Sequence, residues 1–312
     1  MKNRLKGLRL WFAVSVMVVT ICLFLKGERV EKIVVIPKGA TLYQIAEELE
    51  RADIIWSRWV FMALAKVLSA EKRMIAGEYR FCTNSSLFSV LNALKEGRVV
   101  LHRFTIPEGW RLKDIAQYFE DMRFLSRDRF LALCHNQDFI KELGILADSA
   151  EGYLFPDTYR FARGVSEEEV IKTMVKRCME VLSELEADDV HKVLTLASII
   201  EKEAKLAEEK PIISSVFHNR LKRGLPLQSC ATVLYALGKH KQRLSHKDLE
   251  TDSEYNTYIH PGLPPGPICS PGADSIKACL NPADTDYLYF VVKEDVRHHF
   301  AKTLKEHITA KR

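Results

Sequence analysis

Residues 36–50 read IPKGATLYQIAEELE and residues 106–120 read IPEGWRLKDIAQYFE; seven of the fifteen aligned positions are identical, among them Pro37/Pro107, Gly39/Gly109 and Ile45/Ile115. Each copy runs from a β-branched stretch into Pro-x-Gly, a turn signal. A helical pattern follows, with Leu42, Ile45, Ala46 and Leu49 on one face of the first copy. Two copies 70 residues apart are too few for a solenoid. They predict two related strand–turn–helix units, the alternative being two unrelated starts of the same local kind. The chain is expected to be α+β.

The length of 312 residues accommodates an anchor and two compact domains. Hydrophobic residues make up 47% and charged residues 28%, the range of a folded protein. The formal net charge is +5, and Lys2, Arg4, Lys6 and Arg9 supply four of those charges, leaving about +1 for everything else. That balance argues against a general polyanion-binding surface and against nucleic acid as the main partner. Leu10 to Leu25 carries no charge and is flanked by Arg9 and Lys26. These flanks can snorkel and lengthen the short apolar run. The reading is a basic flank at 1–9 and a transmembrane anchor at 10–26, with the N-terminus cytoplasmic and the rest outside. A cleaved signal peptide is the rival, although KGERVEKIVV offers no small-x-small cleavage site. Of seven cysteines, Cys22 falls in the anchor. The other six show no zinc-ligand spacing, and whether they pair is open.

Between the two copies, Tyr79 to Cys82 reads as a strand. Ser85 or Ser86 can cap a helix that Gly97 ends. Ser126 to Leu146 is helical in pattern, EGYLFPDTYRF (151–161) reads as loop and short strand, and Ser166 to Glu186 as an amphipathic helix with Ser166 and Glu169 in capping-box spacing. Asp188 or Asp189 then caps the helix VHKVLTLASIIEKEA. After a short helix, ATVLYALG, comes a Pro- and Gly-rich segment through residue 275, long enough to be functional. The end reads as a strand over Tyr287 to Val292 and a second extended segment around His298 to Leu304.

Val193 to Ile200 is apolar on almost every side, as a buried helix is. Glu201 follows on the face of Leu194 and Ala197, so the helix delivers its carboxylate to the edge of the core. Partial desolvation there favours the acid form and suits a general acid. A structural Glu paired with an Arg is the competing reading. Glu203 lies about 200° further round, between Lys202 and Lys205, and is expected to be exposed.

At this point the chain resembles a known family. LASIIEKEA, SVFHNRLKRGLPLQS, TVLYALG, DLETDSEYNTY, GLPPGPICSPGADSIKA and a final H-x-F stretch are similar, in order, to the signature blocks of the endolytic murein transglycosylases, the YceG-like family. AGEY and EGYLFPDTY are similar to further blocks. The resemblance spans residues 30 to 307. It implies a LysM-like subdomain at 30–100, a catalytic α+β domain at 101–312, and Glu201 as the catalytic acid. It also implies cleavage of MurNAc–GlcNAc bonds in nascent peptidoglycan to 1,6-anhydroMurNAc ends, without cofactor or metal. The penicillin-binding synthases at the membrane are the implied partners. Gln228, Tyr255, Asn256, Tyr258 and His298 are candidates to bind sugar, and Glu151 is the candidate second acidic group. His298, His299 and His307 lack the spacing and carboxylates of a metal site. One position departs from the pattern: where the family carries Asp-Pro after L-Q-S, this chain has Cys230-Ala231. That raises two rivals, a glycan-binding scaffold without activity and a disulfide between Cys230 and Cys269. A water-using hydrolase is the third.

Overall fold

The structure is a computed structural model and describes residues 29–238, 241, 244–293 and 297–310. The expected flank and anchor, 1–26, lie outside the described residues. Among the described residues no helix is long and apolar enough to cross a membrane. The chain divides into two compact units, one of residues up to His102 together with Ala162–Gly164, the other of Arg103–Phe161 and Val165–Arg312.

In the first unit, β1 (Glu31–Ile36) alternates exposed and buried residues and pairs antiparallel with β2 (Gly77–Cys82), Val34 opposite Tyr79. Between them run α1 (Leu42–Arg51) and α2 (Arg58–Val67); α3 (Leu87–Glu96) follows β2. Thr41 and Gln44 form a capping box at the start of α1, and Gly97, at φ 66°, ends α3 in the left-handed conformation. Ile45, Ala46 and Leu49, the face read from the sequence, join Tyr79, Leu91 and Leu94 in one core.

The second unit, from Arg103, takes in most of β3 (Leu101–Thr105) and β4 (Thr158–Ala162), with α4 (Leu112–Asp121), α5 (Arg127–Cys134) and α6 (Gln137–Glu142) between them. β3 pairs with β4. The two strand–turn–helix copies are therefore both real, and the likeness runs further than the fifteen aligned residues. Each first helix is followed by a left-handed non-glycine residue, Asp53 at φ 58° and Arg123 at φ 52°. The next amide then donates back to the helix, Ile54 to Leu49 O and Phe124 to Phe119 O, both at 2.9 Å. Ser57 and Ser126 cap the next helix. The closing strands carry Tyr79-Arg80-Phe81 and Tyr159-Arg160-Phe161. Their rings stack at 5.6 and 5.8 Å. Each Tyr hydroxyl donates to the carbonyl four residues back, Ile75 at 2.6 Å and Phe155 at 2.7 Å. Ser86 and Ser166 then precede the next helices. The chain thus builds one β-α-α-β-α pattern twice, the second time with α6 inserted.

The rest of the second unit is mostly helical: α7 (Glu167–Glu184), α8 (Val190–Glu203), a 3₁₀ turn (Ala207–Glu209), α9 (Lys210–Lys222), α10 (Cys230–Ala236), α11 (His246–Leu249) and α12 (Ala273–Leu280). An antiparallel hairpin of β5 (Tyr289–Val292) and β6 (His298–Ala301) follows, then α13 (Leu304–Ala310). α8 is buried continuously from Leu194 to Ile200, as its sequence requires, and packs on α9, α10 and α12. The Pro-rich segment after α11 is irregular. It is fastened to α8 where the Ile268 N–H donates to Ser198 Oγ at 3.0 Å and Cys269 Sγ donates to the Ser198 carbonyl at 3.4 Å. All six described cysteines are free, so the Cys230–Cys269 disulfide is not formed.

Candidate active site

The last turn of α8 sends two carboxylates to opposite sides, because residues two apart on a helix point about 200° from one another. Glu201 turns toward α9 and α12. Its Oε2 accepts from Lys210 Nζ at 3.2 Å, from the Gly272 N–H at 3.2 Å and from Ser275 Oγ at 2.6 Å. Lys210 also lies 3.8 Å from Glu108, in the turn of the second repeat copy. Burial, and then the Glu201 charge, push the Glu108 carboxyl up, against the pull of Lys210. The cluster ties α8, α9, α12 and the 107–110 turn together.

Glu203 turns the other way. The expectation that it is exposed is wrong: the side chain lines a cavity of about 310 Å³. Its Oε1 accepts from Ser229 Oγ at 2.5 Å. Burial pushes its carboxyl above the ordinary carboxylate range, against bonds from Ser229 and the Ala231 N–H and the nearby His298. The sequence could not separate the two glutamates, since a helical wheel gives the angle between them but not which side the cavity occupies. Lys202 and Lys205, taken as signs of solvent, are exposed while Glu203 between them is not.

The cavity is walled by Arg220, Gln228, Cys230, Tyr258 and His298 as well as Glu203, and Glu201 is not among its lining residues. Gln228 sits at φ 53°, and its Oε1 accepts from Arg220 Nη2 at 2.6 Å. Arg220 is held by the carbonyls of Pro226 and Leu288 at 2.8 and 2.9 Å. Tyr258 OH lies 3.1 Å from Cys230 Sγ. His298 Nδ1 lies 2.6 Å from Glu209 Oε2, and the His298 backbone N–H donates to Glu209 Oε1 at 2.9 Å. His298 Nε2 is buried and has no partner. A buried unpaired nitrogen costs roughly 1–3 kcal/mol.

Three other sequence candidates lie elsewhere. Asn256 is fully buried, its Nδ2 donating to the carbonyls of Leu249 and Thr251 at 2.9 and 2.8 Å, so it organises the loop rather than meeting a ligand. Tyr255 packs on Tyr235, centroids 4.8 Å apart. Glu151 accepts from the Leu112 N–H at 3.1 Å, at the start of α4, and from Tyr235 OH at 3.4 Å. Burial pushes its carboxyl up to about 7. A raised folded-state pKa means that Glu151 favours the native state fully below about pH 4, and that this contribution is lost as pH rises through 7. Glu151→Gln keeps an acceptor without the charge. It should flatten the stability–pH curve across that window, where the wild type should lose up to about 3 kcal/mol relative to the variant. Urea melts of both proteins at pH 5 and pH 8 measure it, and parallel curves would refute it.

Glu209, Arg220 and Ser229 were not found from the sequence. Glu209 is one of two adjacent glutamates in AEEK, and no local signal marks it as the buried one.

Residues 34–312 match the YceG-like family. The chain belongs to that family. An endolytic murein transglycosylase of Bacillus subtilis strain 168 is 38% identical, over 88% of this chain and 82% of that protein. One of Streptococcus pneumoniae is 32% identical over 87% of this chain, which spans 56% of the length of that relative. A crystal structure of a YceG-like protein from Listeria monocytogenes is similar with a TM-score of 0.61 and 34% identity, covering 91% of this chain and 100% of that one.

Membership gives the Cys230-Ala231 departure a physical meaning. Ala231 has an N–H that bonds Glu203 and lowers its pKa; the proline of the family pattern has none. Ala231→Pro should therefore raise the Glu203 pKa, which NMR titration of the carboxyl in the two proteins measures. Stability should change by no more than about 1 kcal/mol, since a helical first turn accommodates proline. An unmoved Glu203 titration would show that this bond does not set its pKa.

Proposed function

We propose that this chain is an endolytic lytic transglycosylase of peptidoglycan, with Glu203 rather than Glu201 as its proton donor. The observation that carries the choice is the convergence of Glu203, Gln228, Tyr258 and His298 on one cavity, with Glu203 the carboxyl that burial drives toward its acid form. Protonated Glu203 gives its proton to the glycosidic oxygen between MurNAc and GlcNAc. The C1–O bond opens through an oxocarbenium-like state, and the MurNAc C6 oxygen closes on C1 to leave a 1,6-anhydro end. The substrate supplies its own nucleophile, so the second carboxylate of the usual glycosidase pair is not required, and no cofactor is used. Gln228, its carbonyl oxygen taken by Arg220, presents its amide nitrogen to sugar hydroxyls, and Tyr258 offers a ring face for a pyranose.

The first unit supports a glycan-holding, LysM-like role. It has two helices between paired strands, and its exposed Trp56 and Trp59 are aromatic faces on which sugars stack. The basic flank and apolar run of residues 1–26 support a single-pass anchor in the cytoplasmic membrane, with both units outside it beside the penicillin-binding synthases. Retention with membranes after salt washing checks the anchor, and a shortened soluble form would mean a cleaved signal instead.

Mass spectrometry of purified, nascent-type glycan after incubation with the protein tests the activity. Internal cleavage with anhydro ends is expected. Reducing ends would make the protein a hydrolase, and an absence of products would make it a binding scaffold.

A further inference from the structure

We propose that Glu209 and His298 form the base of the reaction, with His298 Nε2 taking the proton of the C6 hydroxyl as that oxygen closes on C1. The inference rests on the transglycosylase reading and assigns a second catalytic residue to the same cavity. A hydroxyl is a poor nucleophile until a positioned base relieves it of its proton. Glu203 enters the reaction carrying a proton, and where bond opening and C6 attack overlap it is still giving that proton away as the C6 hydroxyl must lose its own.

The geometry supplies a separate acceptor. Glu209 grips His298 at two points, backbone N–H and ring Nδ1, at 2.9 and 2.6 Å. An ionised carboxylate only accepts, so the ring proton belongs on Nδ1 and the lone pair of the neutral ring on Nε2. The ring is fully buried, set edge-on to Phe290 with centroids 5.3 Å apart and 86° between planes. Its Nε2 has no partner, in a residue that lines the cavity. Carboxylate, imidazole and unoccupied nitrogen in series are the arrangement in which the carboxylate fixes the tautomer and stabilises the imidazolium that forms. A histidine present only to hold the hairpin would need the Glu209 bonds, but not a place in the cavity wall with a buried nitrogen left without a partner.

The charged and titratable groups around the cavity come from every element packed there. They are Glu209 on the 3₁₀ turn, Glu203 on α8, Arg220 on α9, Cys230 on α10, Tyr258 in the loop, Tyr289 on β5 and His307 on α13. Arg220 is committed to carbonyls and Gln228, and Cys230 to Tyr258. Glu209 is the group that contacts the ring.

The step balances. Glu203 gives its proton to the departing GlcNAc oxygen as the C1–O bond breaks. The C6 oxygen forms the new bond to C1, and its proton moves to His298 Nε2. The products are the GlcNAc hydroxyl, the anhydro sugar, a Glu203 carboxylate and a His298 imidazolium beside Glu209. Transfer of that proton back to Glu203, directly or through water, resets the site without any further reagent.

The test uses the full-length protein on purified glycan. His298→Ala should lower kcat by at least about a hundredfold, change KM by less than about threefold, and lose the acid limb of the pH–rate profile. Added imidazole should restore anhydro product in this variant, in proportion to its neutral form. His298→Gln, which fills the same space, should share the kcat loss without the rescue. Glu209→Gln should shift the acid limb to lower pH, because the stabilising negative charge is gone. Thermal melts establish that each variant is folded. The proposal is overturned if a folded His298 variant keeps its kcat, loses only KM or keeps the acid limb, or if folded His298→Ala is not rescued by imidazole. If neither His298 variant folds, an unmoved acid limb in Glu209→Gln overturns it. Wild-type protein that makes no anhydro ends sinks the transglycosylase reading itself, a result distinct from any of these.

Discussion

Glu203→Gln should cut turnover by at least about a hundredfold, the lower end for loss of a general acid, and leave the melting temperature within a few degrees of wild type. The amide fills the same space and can still accept from Ser229 Oγ, which is 2.5 Å from the native carboxylate, but it has no proton to give. Glu201→Gln should behave in the opposite way. That change removes a charge beside Lys210, a side chain only 9% exposed, and leaves Glu108, 3.8 Å away, as the carboxylate still paired with the ammonium. A stability loss on the order of 2 kcal/mol is expected, reduced from the value for a fully buried pair by the remaining Glu108 contact and partial exposure. Its folded molecules should retain turnover within about tenfold. Anhydro-product rates paired with thermal melts for the two variants separate chemistry from scaffolding. A folded Glu201→Gln protein without activity, beside an active Glu203→Gln protein, would return the acid to Glu201 and remove the cavity from the reaction.

The two glutamates also mark how far the sequence could be read. The apolar run of α8 announced a buried helix ending in a carboxylate, and that was right because burial on all faces leaves an unbroken apolar run that surface packing on one side does not produce. Choosing between positions two apart needs to know where the walls of the cavity are, and those come from β6, α10 and the 255–258 loop, up to 97 residues away in sequence. Tyr255, Asn256 and Tyr258 looked equivalent as a loop motif. Alternation within that loop sends Tyr258 to the cavity, Tyr255 to Tyr235 and Asn256 inward to two carbonyls. The internal repeat was legible only while its spacing stayed at 70. Insertion of α6 and its turns moves the Tyr-Arg-Phe strands to a spacing of 80, and the left-handed Asp53 and Arg123 carry no glycine to flag the turn they share.

Gly152→Ala should be the most damaging small substitution in the second unit, and a second glycine provides its control. Gly152 has φ 81°, and a Cβ built on it would lie 2.3 Å from Pro267 Cβ and 2.6 Å from its Cγ. Neither partner can withdraw easily. Pro267 is a ring, and Ile268 and Cys269 immediately after it are the residues that fasten the Pro-rich segment to Ser198 on α8. Alanine in the left-handed region costs about 1–2 kcal/mol, and forcing an extra methyl into a filled site costs about 1–3 kcal/mol, so a total loss of about 2–5 kcal/mol is expected. Gly144 has nearly the same backbone, φ 79°, but nothing lies within 4 Å of its built Cβ. Gly144→Ala should therefore show the backbone cost alone, about 1–2 kcal/mol. The difference between the two variants in urea denaturation isolates the contact with Pro267. A displaced segment would also pull on Ser198, three residues before Glu201 and five before Glu203, so Gly152→Ala should lose activity before it unfolds while Gly144→Ala does not. Equal losses in the two variants would mean that the Pro-rich segment yields to the methyl group, and that its grip on α8 is weaker than the Ser198 bonds indicate.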